Sequence, residues 1–232
     1  KHRICRACRL GKPVFSLCDH FAILLGVKQL VIGGCMVKIS DLSKKFKQNV
    51  VFAHLDLEIE DGELVHLAGI NGSGKSTLFK MICGIEEPDS GKIMLKSGAQ
   101  IGALIENPSY IENENILYNL KFLANLNGNY HEEYVQELCK MFELDLYSKT
   151  HLKNYSLGMR QKVGIIQSVM EDQDLILLDE PVRGLDDRAV ITFTKLVKDL
   201  HEKGKTIVIA SHDEITGLEF TRKLRIENHL II

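Results

Sequence analysis

No stretch of this chain reaches the roughly 18 uninterrupted apolar residues that a membrane-spanning helix needs. If the protein acts at a membrane, another chain is expected to cross it. Charge of one sign is also missing: 29 Lys and Arg stand against 31 Asp and Glu, for a net charge of −2. This balance makes no whole-protein case for nucleic acid or an anionic bilayer as partner. The six cysteines are scattered and lack the spacing of a disulfide framework, which points to a reducing, cytoplasmic setting. Cys83 and Cys139 fall within helical patterns and read as small buried hydrophobes. Cys5 and Cys8, with Cys18 and His20 beyond, lack the second well-spaced ligand pair of a zinc site. What is present is ordinary for a globular domain: 45% hydrophobic and 26% charged residues in a chain of 232. That suits one domain, or one domain with an inserted subdomain.

Residues 1–35 differ from the rest. Lys1, Arg3, Arg6, Arg9, Lys12 and Lys28 face a single acid, Asp19. Basic residues followed by the apolar Phe21–Leu25 have the look of a signal peptide, but Asp19 and His20 interrupt it and no clear cleavage site follows. Position 1 is not Met, and Met36 opens a segment that reads as a domain start. The expectation is a domain over 36–232, preceded by an unassigned extension, 1–35, native or artefactual.

The domain is organised around Gly69-Ile70-Asn71-Gly72-Ser73-Gly74-Lys75-Ser76-Thr77, which fits the P-loop pattern G-x-x-x-x-G-K-[ST]. Leu64, Val65, Leu67 and Ala68 before it read as a buried strand. Leu78, Phe79, Met81 and Ile82 after it are spaced for a helix that Gly84 can stop. Glycines let the backbone approach a polyphosphate closely. The loop N–H groups and the helix N-terminus attract its charge. Lys75 supplies a cation for the β- and γ-phosphates, and the Ser76 hydroxyl is placed to ligate Mg²⁺.

Along the domain, Val37 and Ile39 form a short alternation, and Val51, Leu55, Leu57 and Ile59 a longer one that ends at Asp61-Gly62. Pro88-Asp-Ser-Gly91 marks a turn. Ile93–Leu95 and Ile101–Ile105 read as strands. After Pro108 the period changes. Ile116, Leu117, Leu120, Leu123 and Ala124 suit one helix, and Tyr134, Val135, Leu138, Cys139 and Phe142 another. A third begins after Ser156, a good N-cap, and runs to about Val169. An all-helical insert is therefore expected over about 107–170. The α/β pattern returns with the run Leu175–Leu178, a helix from about Val190 to His201, and the run Thr206–Ala210. Strands alternating with helices predict a parallel sheet covered on both faces, with a more antiparallel β part near the N-terminus. In such sheets ligands sit at the carboxyl ends of strands. The P-loop, Asp179-Glu180 and Ser211-His212 all follow predicted strands, so one composite site is expected.

Asp179 follows four apolar residues and can hold Mg²⁺ together with Ser76. Glu180, one residue on, can orient or deprotonate an attacking water. His212 can meet a γ-phosphate by a hydrogen bond. The implied reaction is Mg²⁺-dependent hydrolysis of a nucleoside triphosphate, with Lys75, Glu180 and His212 as its catalytic residues.

Residues 36–232 resemble the nucleotide-binding subunit of an ABC transporter, and several motifs in order carry the resemblance. Tyr155-Ser156-Leu157-Gly158-Met159-Arg160-Gln161 is similar to the family signature L-S-G-G-Q, and Ser156 stands 23 residues before Asp179. Gly184-Leu185-Asp186 resembles the D-loop, and His212 the switch histidine. Phe46, 29 residues before Lys75, resembles the aromatic that stacks on adenine. The resemblance implies ATP and Mg²⁺ as ligands and a head-to-tail dimer with a second ATP-binding subunit. Ser156 and Gly158 of one chain would then meet the nucleotide on the P-loop of the other. It implies a transmembrane permease partner, docked through the helical insert, and a position on the inner face of the cell membrane. Leu157 and Met159 replace a glycine and a glutamine of the signature. Glu106 stands where the family usually has glutamine. It keeps an oxygen for Mg²⁺ and adds a negative charge. Ile101–Pro108 and the Tyr-Ser-Leu-Gly-Met signature resemble a subgroup that exports peptide antibiotics such as bacitracin and lantibiotics. The alternative, a soluble ABC ATPase acting on ribosomes or DNA, would usually carry a long coiled-coil insertion or two ATPase domains. The sequence shows neither, and no basic stripe.

Overall fold

The computed structural model describes residues 31–32, 35–106, 108–128 and 130–232. The Cys5, Cys8, Cys18 and His20 group lies outside them, and of the expected 1–35 extension only Val31, Ile32 and Cys35 are described, all three within strands. Two sheets organise the molecule. The first has the order β1-β5-β2-β3, from β1 (Val31–Ile32), β5 (Ser90–Lys96), β2 (Cys35–Phe46) and β3 (Asn49–Glu60). Its β2 pairs antiparallel with both β3 and β5. The second has the order β10-β9-β4-β8-β7-β6, from β10 (Leu230–Ile231), β9 (Arg222–Glu227), β4 (Leu64–Ala68), β8 (Thr206–Ser211), β7 (Leu175–Asp179) and β6 (Ile101–Leu104). It is parallel except for its edge strand β10. This is the mixed α/β architecture expected, with an antiparallel part built near the N-terminus.

β2 is longer than its apolar pattern predicts. Only Val37 and Ile39 alternate cleanly, yet the strand runs for 12 residues. The reason is a set of register shifts between Ile39 and Lys45. Asp41, at φ 50, and His54, opposite it at φ 53, take the left-handed conformation that such bulges use. A bulge breaks the two-residue period, so the sequence signal fades while the strand continues.

In the parallel sheet the alternation of strand side chains separates two cores. Leu64, Ile176, Leu178, Ile207 and Ile209 face one cluster, which contains the helices after β6. Val65, Leu67, Leu175, Leu177 and Val208 face the other, which contains β2, β3 and α1 (Lys75–Ile82). Phe142 and Phe193 are fully buried in the first core and Phe52 and Phe79 in the second. Each such side chain contributes about 1.5–3 kcal/mol by burial.

Between β6 and β7 the described elements are helical: α2 (Ile116–Asn127), α3 (Glu132–Met141), a 3-10 turn (Leu152–Asn154) and α4 (Leu157–Val169). Asn115 caps α2 by accepting from Tyr118 N at 2.8 Å, and Gly128 ends it in the left-handed conformation. α5 (Asp187–Glu202) joins β7 to β8 and is capped by Asp186, which accepts from Ala189 N at 2.8 Å.

Candidate nucleotide site

The P-loop leaves the carboxyl end of β4 and enters α1 through Gly74. This residue is at φ 110, and no side chain caps the helix. The N–H groups of the first helical turn therefore depend on an outside acceptor. Gly74 is required twice. Its φ suits only glycine, and a Cβ there would lie 2.6 Å from Val51 Cγ1 and 2.9 Å from Phe52 Cζ. The opening of β3 thus packs directly under the loop. Phe46 lies at the same, turn end of this hairpin, paired with Asn49. Its ring is 45% exposed, with Lys44 Nζ 4.9 Å from the centroid.

Lys75 is buried, and its ammonium donates to Gly69 O at 2.6 Å and Ile70 O at 3.3 Å. It also lies 3.8 Å from Glu180 Oε1. Ser76 Oγ donates to Asp179 Oδ2 at 2.5 Å across 103 residues of sequence. Asp179 ends β7 and is buried, which pushes its carboxyl above the usual carboxylate range. The Ser76 hydrogen bond, the Lys75 charge and a backbone hydrogen bond from Glu106 oppose that rise. Glu180 follows with φ 47, and its N–H donates to Ala210 O at 2.8 Å. Its Oε1 is shielded from solvent and accepts no hydrogen bond. Glu106 has φ 54. Two acids that follow adjacent strands are thus held in a conformation disfavoured for side chains with a Cβ, a cost of about 1–3 kcal/mol each that clusters at functional sites.

The structure therefore brings Lys75, Ser76, Asp179, Glu180 and the Glu106 backbone together. His212 follows β8, next to β7 in the sheet. Its side chain is largely exposed, with Nδ1 3.3 Å from Asp213 Oδ1. The Glu106 carboxylate is engaged elsewhere, accepting from Lys80 Nζ at 2.7 Å. Ser156 and Gly158 make other contacts. Ser156 Oγ caps α4 by accepting from Met159 N at 3.2 Å. A Cβ on Gly158 would meet Gly184 O at 2.5 Å. Of the remaining loop residues, Gly69 leaves no room for a Cβ beside Ser73 Oγ, 2.5 Å away. Ser73 Oγ is itself buried without a hydrogen-bond partner. Asn71 and Gly72 are exposed, and Thr77 is half-buried in the first turn of α1.

Two positioning contacts are absent from the sequence reading. Gln161 Nε2 donates to Glu180 O at 3.1 Å and Pro181 O at 3.0 Å, tying α4 to the segment after β7. Lys80 holds Glu106. Gln161 belongs to the signature run, but only the fold reveals what it touches. Among the described residues, no group of three or more His, Cys, Asp or Glu is placed to hold a metal ion. The oxygens of Ser76 and Asp179 are the hard donors that suit Mg²⁺, which takes one or two protein groups and completes its shell with phosphate and water.

The family model for ABC transporters matches residues 52–183, more than half of the chain. The chain belongs to the ABC transporter family. It is 32% identical over 188 residues to the ABC transporter ATP-binding protein YcbN of Bacillus subtilis, covering 76% of this chain and 61% of that one. It is 29% identical over 209 residues to the bacitracin transport ATP-binding protein BcrA of Enterococcus faecalis, covering 84% and 68%. It is 30% identical over 184 residues to the lantibiotic transport ATP-binding protein SrtF of Streptococcus pyogenes, covering 76% and 80%. The ATP-binding subunit of an ABC transporter superposes with a TM-score of 0.76 at 26% identity, over 84% of this chain and 88% of that chain. The dimeric bacterial ABC transporter cassette MJ0796 does so at 0.76 and 25% identity, over 84% and 96%. The P-loop, Asp179 and the signature run all fall inside the matched 52–183.

Proposed function

We propose that this ABC chain is the ATP-binding and ATP-hydrolysing subunit of a membrane exporter whose cargo is a peptide antibiotic. The observation that carries the ATPase reading is the junction of P-loop and β7. Ser76 Oγ lies 2.5 Å from Asp179, with Lys75 3.8 Å from Glu180 beside it. When bound, Mg²⁺ supplies neutralisation of phosphate charge. Ser76 and Asp179 would hold it, with the Glu106 carboxylate free to join only by leaving Lys80. Lys75 and the first-turn N–H groups of α1 bind and orient the β- and γ-phosphates. Glu180 orients the attacking water and takes up its proton, and His212 holds the γ-phosphate by a hydrogen bond. Phe46 stacks on the adenine. Ser156 and Gly158 serve the nucleotide of a second, head-to-tail copy or homologous subunit.

Export of peptide antibiotics rests on the similarity to BcrA and SrtF together with Glu106 and the Tyr-Ser-Leu-Gly-Met run. No helix among the described residues is long and apolar enough to cross a membrane, so the reading requires a permease partner and places this chain on the inner face of the membrane. Affinity purification from native membranes tests it. A co-purifying multi-span membrane protein is the expected result, followed by loss of resistance to cationic peptide antibiotics on deletion. Recovery with ribosomes or DNA in the soluble fraction overturns the exporter reading and leaves the ATPase chemistry standing.

A further inference from the structure

His66 stands in the middle of β4, the strand that delivers the P-loop, and is only 3% exposed. An imidazole in an otherwise apolar strand must find a polar partner or bear the cost of burial. Its partner is in the neighbouring strand. His66 pairs with Ile209 in the parallel register, so Ser211 lies two residues further along β8 on the same face. His66 Nε2 is 2.9 Å from Ser211 Oγ, and Ser211 Oγ is 2.6 Å from Asp213 O. A hydroxyl has one proton. With that proton given to the Asp213 carbonyl, the imidazole must donate through Nε2–H to Ser211 Oγ. The Phe220 ring, 4.9 Å away and tilted by 32°, covers the imidazole. Burial depresses its basicity, as does the Lys223 charge, against an opposing contribution from Glu214.

The two hydrogen bonds bracket His212, one ending at the residue before it and the other at the residue after it. Ala210, one residue further back, accepts the Glu180 N–H. One short segment, 210–213, thus carries both the backbone anchor of Glu180 and the His212 side chain, and His66 reaches it from the strand that leads to Lys75.

We infer that His66 is a positioning residue for ATP turnover: through Ser211 it fixes the turn at 211–213 and so sets where His212 and the water-orienting Glu180 stand relative to the P-loop. The inference rests on the ATPase reading above. His66 touches neither nucleotide nor water in this role, so its loss should affect the chemical step more than nucleotide binding.

The test uses the full chain with four variants: His66→Leu, Ser211→Ala, the two combined, and His66→Gln, whose amide can still donate. Either single loss is expected to lower kcat about tenfold while KM for ATP stays within about twofold. The double variant should be no slower than the slower single, and His66→Gln should recover most of the rate. Hydrogen exchange of a peptide spanning 206–216 should quicken in His66→Leu and in Ser211→Ala. Ser211→Ala, a small change, keeps the test available if His66→Leu does not fold. Wild-type kcat in both single variants overturns the proposal. So do additive losses, a rise in KM with kcat unchanged, or unaltered exchange at 211–213. If the wild-type chain releases no phosphate above the Glu180→Gln background, the ATPase reading itself falls and the proposal with it. The exchange data would then separate that failure from a mistaken role for His66.

Discussion

The cluster at the end of the parallel sheet and the start of α4 are built in opposite ways. In the sheet, Lys75, Ser76, Asp179 and Glu180 come from distant parts of the chain and hold one another by side-chain contacts. At α4, Ser156 and Gly158 are two residues apart and held locally, by the helix's own N–H and by close packing on Gly184. Leu157, between them, is 53% exposed. In the proposed ATPase the first region would take a polyphosphate within one chain. The second presents a helix start outward, and in the proposed dimer it would serve the nucleotide of another copy. Side chains are therefore expected to decide binding in the first region, and backbone geometry to decide assembly in the second.

Lys75→Ala is expected to have the largest effect, weakening ATP binding by at least about 100-fold in calorimetric titration because a buried cation at the phosphates is lost. Retained tight binding would sink the P-loop assignment. Glu180→Gln comes next and should separate binding from turnover. ATP affinity should stay within about threefold, kcat should fall by about 100-fold or more, and an ATP-dependent dimer should accumulate in gel filtration. Normal turnover in this variant would remove the role given to Glu180. Gly158→Ala probes the other region. Its Cβ would sit 2.5 Å from Gly184 O, so the start of α4 must shift. Dimerisation should weaken by about tenfold while ATP binding by the single chain is unchanged. Equal loss of both would erase the distinction between the two regions.

The smallest effect concerns how α4 is anchored. Arg160 donates to both carboxylate oxygens of Glu112, at 2.8 and 2.6 Å, and to Leu152 O at 3.0 Å. Arg160→Ala should cost about 1–2 kcal/mol in denaturant unfolding, part of the pair's strength being screened by solvent. The Arg160 hydrogen bond holds the Glu112 carboxyl below its ordinary value of 4.5. The stabilisation is therefore full above about pH 4.5 and is lost as pH falls through the depressed value. The difference in Tm between wild type and Glu112→Gln should accordingly shrink on acidification below that point. A difference that widened would contradict the assignment.

The same contrast explains what could be read from the sequence. Buried strands such as Leu175–Asp179 and Thr206–Ser211 are continuous apolar runs, and the residues just after them inherit the site position from the parallel fold. That made the strand-end positions of Asp179, Glu180 and His212 legible before any coordinates. The bulged half of β2 was not, because its shifts cancel the two-residue period. Lys80, Gln161 and His66 were not either. Their partners lie 26, 19 and 145 residues away in sequence, and nothing local marks a lysine, a glutamine or a histidine as bound to any of them. A distant hydrogen bond leaves no periodicity.

Gly102 has a mechanical consequence. A Cβ at this position of β6 would lie 1.8 Å from Ser168 O, near the end of α4, so helix and strand touch backbone to backbone there. The opposite end of the helix begins at Ser156, about 18 Å away at 1.5 Å per residue. Were the helix to turn as a rigid body, this contact would be its fulcrum. A swing of only about 10° about that point would carry Ser156 by about 3 Å, roughly the difference between a hydrogen bond made and one broken. A methyl group there cannot fit against that carbonyl, so Gly102→Ala should force β6 and α4 apart and displace the Ser156 end of the helix.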